Sequence, residues 1–389
     1  MNVVLRTIFV LLTVGIGYIA VSDSIARRVE TYNPVLAHSL RPNDGRITSI
    51  LASFLSQDGA AKGNASKADQ LAKLALRQDA TAVLAAETLG ASADAQGHAD
   101  AADAAFAYSD RLSRREVRTR LWMIERAVDS GDVSVSLHQY DTALRVLPNL
   151  ADLLYPVLAG AASDPQITPA FVALLSKRPS WTQSFVEYVA SKGPDRGRAA
   201  VLLRQLSRVG VPVSQSATSY VINALLGENR YPEAWSYYVT VRPGVDRHRS
   251  RDPEFKAGLE APSKFDWVAA NDGTISGALE GGVFEFSAPP SIGGAILHQI
   301  QWLPAGRYRM TGSSSKFEGA VRTLPFWSLS CANGRELGRV YLGRSGAFSG
   351  DFTVPTDCPQ QTLALVVQAT DDMSGITGQI THAELVAAR

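Results

Sequence analysis

The chain has no excess of charge of either sign. Its 38 lysines and arginines are almost cancelled by 37 aspartates and glutamates. This argues against a dedicated nucleic-acid binder, which needs a basic surplus gathered on one face. Motifs for common chemistries are missing too: there is no phosphate loop, no G-x-G-x-x-G, no G-x-S-x-G and no zinc spacing among the six histidines. In "GAFSG", Gly346 to Gly350, Ser349 stands one place too late for a nucleophile elbow. No two carboxylates are marked as an acid–base pair. The expectation is therefore a protein with no cofactor, no metal site, no catalytic residue and no nucleic-acid partner. Cysteine is scarcest of all: there are only two, Cys331 and Cys358, both in one short strand-like stretch.

What is present divides unevenly. Nearly half the residues are apolar, 46%, enough for a sizeable core and too many for a disordered chain. At 389 residues two or three units are expected. Alanine and leucine dominate to about residue 240, and glycine, serine, threonine and aromatics take over after about 262. The chain reads as five segments: 1–28 as anchor or signal, 29–45 as linker, 46–241 as a helical region, 242–263 as an exposed basic linker and 264–389 as a β-sandwich.

"RTIFVLLTVGIGYIAV", Arg6 to Val21, is uncharged from Thr7 onward. Fifteen helical residues cover about 22 Å, and adding Val3 to Leu5 brings the length to about 28 Å, close to the hydrocarbon thickness. A transmembrane anchor is the first reading. A cleaved signal peptide is the alternative, with small residues at Ala20 to Ser22. Arg27 and Arg28 lie after the run while Arg6 alone precedes it, a count that runs against export of the rest of the chain. The cysteines point the other way. A close pair is kept as a disulfide in the periplasm and reduced in the cytosol. Bonded, Cys331 and Cys358 would add about 3–4 kcal/mol in the chain-entropy model; two unrelated buried thiols are the plainer alternative. The expectation is a single-pass inner-membrane protein with its bulk in the periplasm.

Between Ile47 and Val241 about ten helices are predicted. In "SRREVRTRLWMIERAVDSGD", Ser113 and Glu116 have capping-box spacing, Val117, Leu121, Ile124 and Val128 form a stripe, and Gly131 ends it. The arginines at 111, 114, 115 and 118 read as a solvated face. None of these helices has a stripe wide enough to close a core alone, so they must stack as an α-solenoid. "GDVSVSLHQYDTALRVLP", with Tyr140, Ala143, Leu144 and Pro148, resembles the second helix of a tetratricopeptide repeat. So does "YPEAWSYYVTVRP", with Tyr231, Glu233, Ala234, Tyr237, Tyr238 and Pro243. The resemblance implies a surface for a protein partner.

After Phe265 the period becomes two, and about nine short strands in some 125 residues fit an antiparallel β-sandwich or jelly roll. Strict alternation turns Ile296, His298, Ile300 and Trp302 one way and Gln299 and Gln301 the other; it puts Trp327, Leu329 and Cys331 in the core and makes His298 a core histidine. "ILHQIQWLPAGRYRMTGSSS" with the later "GQITHAELVA" resembles the jelly-roll carbohydrate-binding modules. That resemblance implies a glycan face on the polar side of one sheet, with Gln299, Gln301, Arg309, Arg339 and Tyr341 offering amides, guanidinium groups and a stacking ring. Asp371 and Asp372 read as a polar turn in preference to a calcium site.

The whole arrangement, with "LSRREVRTRLWMIERAVDSGD" and "WSLSC…TDCP", is similar to accessory proteins that accompany bacterial exopolysaccharide production. This implies a non-enzymatic periplasmic scaffold. Its repeats would hold a protein partner of an envelope assembly, and its sandwich a polysaccharide or another subunit. A polysaccharide-modifying enzyme with a site between the helical and β regions is the alternative.

Overall fold

The computed structural model describes residues 3–57, 64–315, 317–319, 324–343, 346–369 and 375–388; Asp371 and Asp372 lie outside them. The fold is multidomain α plus β: among the described residues it has fourteen α-helices and two antiparallel sheets. The chain gathers into two compact units, Met1–Leu154 and Tyr155–Arg389.

In the first unit the helices are α1 (Val3–Val29), α2 (Pro34–Leu40), α3 (Gly45–Gln57), α4 (Asn64–Gln78), α5 (Val83–Ala95), α6 (Ala99–Leu112), α7 (Val117–Asp129) and α8 (Val133–Val146). Among the described residues α1 is the one helix long and apolar enough to cross a membrane, over Thr7–Val29, a property that signal sequences share. Its apolar side chains, Phe9, Leu11 and Tyr18 among them, are exposed, so it is not a core helix. Beyond it each helix packs on its sequence neighbours. The buried centre of α3, α4 and α5 is Ala52, Ala72, Ala75, Ala82 and Ala85. Phe106 of α6 fills the space over Gly90, where an added Cβ would come within 2.9 Å of the ring, and stacks on Trp122 at 4.4 Å.

One local expectation changes here. Because α6 continues to Leu112, Ser113 ends that helix and its hydroxyl accepts from the Arg115 amide at 3.2 Å. Glu116 starts α7 without a side-chain bond, so no capping box forms. The arginine run is thereby split: Arg111 lies over the Tyr108 ring on α6, while Arg118 on α7 approaches Glu87. α8 does carry a full cap: Asp132 accepts from the amides of Ser134 and Val135 at 2.9 and 3.1 Å. Tyr140, Ala143 and Leu144 of this helix are buried.

α9 (Ala151–Ala162) crosses the boundary between the units. The second unit continues with α10 (Thr168–Leu175), α11 (Thr182–Lys192), α12 (Arg196–Arg208), α13 (Gln215–Gly227) and α14 (Tyr231–Val241). Ala234, Tyr237 and Tyr238 of α14 are buried.

The strands are β1 (Val268–Ala269), β2 (Ser276–Glu280), β3 (Val283–Ala288), β4 (Gly294–Gln301), β5 (Gly306–Ser314), β6 (Glu318–Gly319), β7 (Phe326–Cys331), β8 (Glu336–Tyr341), β9 (Ala347–Val354), β10 (Gln361–Val367) and β11 (Ile376–Ala387). One sheet runs β1-β4-β10-β7-β8. The other runs β2-β3-β11-β5-β9, with β6 also on β11. Their facing sides share one core that includes Trp267, Phe284, Tyr308, Trp327, Phe352 and Leu365. Cys331 at the end of β7 is disulfide-bonded to Cys358, with Cα atoms 5.5 Å apart. Cys358 lies in the turn by which the chain passes from β9 in one sheet to β10 in the other, so the bond pins that crossover to β7.

The segment 242–263, expected to be exposed, is partly interior. From His248 to Pro253 it runs beside β11 beyond the end of β3, through bonds such as Ser250 N to Leu385 O at 2.8 Å and Ala383 N to Pro253 O at 2.9 Å. This aims Arg251 between the sheets. Its guanidinium donates to Phe265 O at 2.8 and 3.0 Å, to Gln301 Oε1 at 2.7 Å and to Ile300 O. Burial pulls its pKa down to about 10, which still leaves it cationic at neutral pH. The charge is held by neutral oxygens in place of a carboxylate, and burying it is tolerable because its donors are bonded.

Candidate functional site

The five residues expected to share a polar face do not. Gln299 and Gln301 are fully buried. Gln299 accepts from the Arg251 amide at 3.0 Å and donates to its carbonyl at 3.1 Å, while Gln301 donates to Gln299 Oε1 at 2.8 Å. The cause is a bulge. Leu365 pairs with Leu297 and Val366 with Ala295, so Ile296 is an extra residue. Ile296 and Leu297 both enter the core, and every later side chain of β4 is inverted relative to simple alternation. Gln299 therefore stands in one row with Leu363 and Leu329. His298, expected inside, lies half-buried on the outer face, its pKa lowered by burial and then by Lys264. Arg309 belongs to the other sheet, where Asp351 on β9 accepts from it at 2.9 and 3.3 Å.

Arg339 and Tyr341 do come together, two residues apart on β8. Paired residues on antiparallel strands share a face. The register Arg339–Ser328–Ala364–His298 therefore crosses β8, β7, β10 and β4 as one outer row, with Tyr341–Phe326–Val366 beside it. Ser328, Ser330, Thr362 and Ala364 make a floor of small side chains. Tyr341 is 57% exposed, the one large apolar or aromatic side chain so exposed among the described residues of the sandwich. Its ring meets that of Phe326 at 5.5 Å, and the Arg339 guanidinium lies 4.5 Å from the same Phe326 ring.

Alternation alone misses Glu336. A bulge between Leu329 and Ser330 makes Ser330 pair with Glu336, which brings Glu336 and Arg339 to one face although three residues separate them. Glu336 accepts from Arg339 at 2.6 and 2.9 Å. That bond lowers the Glu336 pKa and, followed by the bond with Tyr341, raises that of Arg339. The fork is thus held in place with part of its donor set engaged. An exposed ring, a fixed guanidinium and a carboxylate beside a floor of hydroxyls can stack on a sugar ring and bond its hydroxyls. Phe326 was missed because its role depends on cross-strand register. No cluster of three or more histidine, cysteine, aspartate or glutamate side chains placed to hold a metal occurs among the described residues.

No family model matches the chain, and no curated protein matches it. Solved structures similar over part of it include the following two. One is the glycosylation-associated protein (Gap123) complex from Streptococcus agalactiae, at 11% identity and a TM-score of 0.23; the match covers 31% of this chain and 44% of that one. The other is TmCBM61 in complex with β-1,4-galactotriose, at 17% identity and a TM-score of 0.25, covering 36% of this chain and 97% of that one. The chain thus spans less than half the length of the first.

Proposed function

We propose that this is a non-enzymatic binding and scaffold protein, anchored by α1 in the inner membrane with its bulk in the periplasm, that serves exopolysaccharide assembly or export. Residues 264–389 form the glycan-binding domain, and the tetratricopeptide-like helices of 46–241 hold a protein partner of an envelope assembly. One observation carries the glycan reading: Tyr341 stands exposed beside Arg339, which Glu336 holds at the edge of a face floored by small side chains. An exposed ring of this kind gives stacking area at little conformational cost. The disulfide between Cys331 and Cys358 supports the oxidising compartment.

The test is a glycan array probed with the full chain in detergent. Binding to neutral or acidic glycans is expected, with the signal lost in Tyr341→Ala and weakened in Arg339→Ala while the melting temperature stays unchanged. A signal that survives Tyr341→Ala would move the site elsewhere, and no signal on any glycan would leave the sandwich as a protein-contacting module.

A further inference from the structure

A second concavity stands apart from the residues of the glycan face. The C-terminal halves of α12 and α14, the first half of α13 and the Ser263–Asp266 turn enclose a cavity of about 400 Å³. Three arginines line it, Arg204, Arg208 and Arg242, against one carboxylate, Asp266. That carboxylate is already engaged. Tyr238 donates to its Oδ1 at 2.8 Å, and the Ser263 amide and hydroxyl donate to its Oδ2 at 2.9 and 2.7 Å.

Arg242 Nε stands 3.8 Å from Asp266 Oδ1, beyond hydrogen-bond range, and is buried without a partner. Among the described residues no carboxylate pairs with Arg204 or Arg208. The cavity therefore holds two cations beyond what its own acid offsets, and in Arg242 Nε a buried donor that is ion-paired with Asp266 but hydrogen-bonded to nothing. Such a donor is costly unless something accepts from it. The Ser207 hydroxyl also lines it; those of Thr218 and Thr240 are engaged with Tyr237, Thr240 donating to its carbonyl at 2.6 Å, and keep acceptor capacity. The volume falls within the usual range for small-ligand sites.

We propose that this cavity binds a small hydroxylated oxyanion, a sugar carrying a carboxylate or a phosphate. A guanidinium fork fits either group in two-point fashion, and the hydroxyl and tyrosine lining suits the sugar body. The site is independent of the Tyr341 face.

Isothermal titration of the full chain in detergent with glucuronate, glucose 6-phosphate and glucose tests this. At least one of the two anions should bind while glucose does not, and the preferred anion identifies the group. Arg204→Gln, at a half-exposed position, should fold normally and weaken binding about ten- to hundredfold, the usual effect of removing a charge-assisted bond. If Arg242→Gln fails to fold, the Arg204→Gln/Arg208→Gln double variant takes its place with a larger expected loss. Binding should be unchanged in Tyr341→Ala. The proposal is overturned if neither anion binds at millimolar concentration, if glucose binds equally well, if the arginine variants keep wild-type affinity, or if Tyr341→Ala abolishes anion binding.

Discussion

Between α3, α4 and α5 the buried side chains are alanines, whereas between the two sheets they are Trp267, Phe284, Tyr308, Trp327 and Phe352. Both arrangements come from geometry. Helices approach closely when the facing residues are small, while stacked sheets stand about 10 Å apart and need large side chains from both faces to fill the gap. One region is thus sensitive to added volume and the other to removed volume, although both are fully buried.

The largest effect should come from Trp327→Ala, which empties the centre of the sandwich and should cost about 3–5 kcal/mol in chemical denaturation; a loss under about 1 kcal/mol would mean that the rings are not the determinant. Next is the disulfide. Cys331→Ser with Cys358→Ser should lower sandwich stability by about 2–4 kcal/mol, read as a shift of the near-ultraviolet transition, and an unmoved midpoint would show that the β9–β10 crossover holds itself. Ala72→Leu should then cost about 1–3 kcal/mol by overpacking, seen in the helical signal at 222 nm. If it stabilised the helices, their close approach would not be what the alanines maintain.

The smallest effects separate the regions by sign of pH response. Burial raises the Glu87 pKa above 4.5, with Arg118 opposing. Its contribution is complete below 4.5 and is lost as pH rises through the folded value. Burial lowers the His298 pKa below 6.5, so its contribution is present above 6.5 and lost as pH falls through the folded value. Glu87→Gln should therefore gain relative stability toward neutral pH, and His298→Gln toward pH 5, in melts compared with the parent chain. Equal slopes for parent and variant would remove either group from the account.

The fold class was legible because the change from a period of 3.6 to 2 near Phe265 and the shift in composition are local. The helix over Val133–Val146 was legible from its apolar and repeat-like spacing, but the start expected at Ser113 was not, because the preceding helix runs on to Leu112. The site was half legible. Arg339 and Tyr341 are two apart on one strand, which alternation can read. Gln299 and Gln301 were misplaced because the bulge at Ile296 is a property of two strands paired over some seventy residues of sequence. For the same reason nothing in "RHRSRDPEF" announces that Arg251 enters the sandwich; its partners, Phe265, Ile300 and Gln301, are fixed only by tertiary pairing.

The place of β11 has a consequence of its own. It is the last strand among the described residues, yet it lies in the middle of its sheet, joining β3 through Ile376–Ile380 to β5 through Ile380–Ala387. Until it arrives, the strands made earlier are two half-sheets with open inner edges, a state of high contact order and exposed to wrong partners. The sheet therefore closes only once β11 is inserted between β3 and β5, which makes that step the one on which the whole sandwich waits.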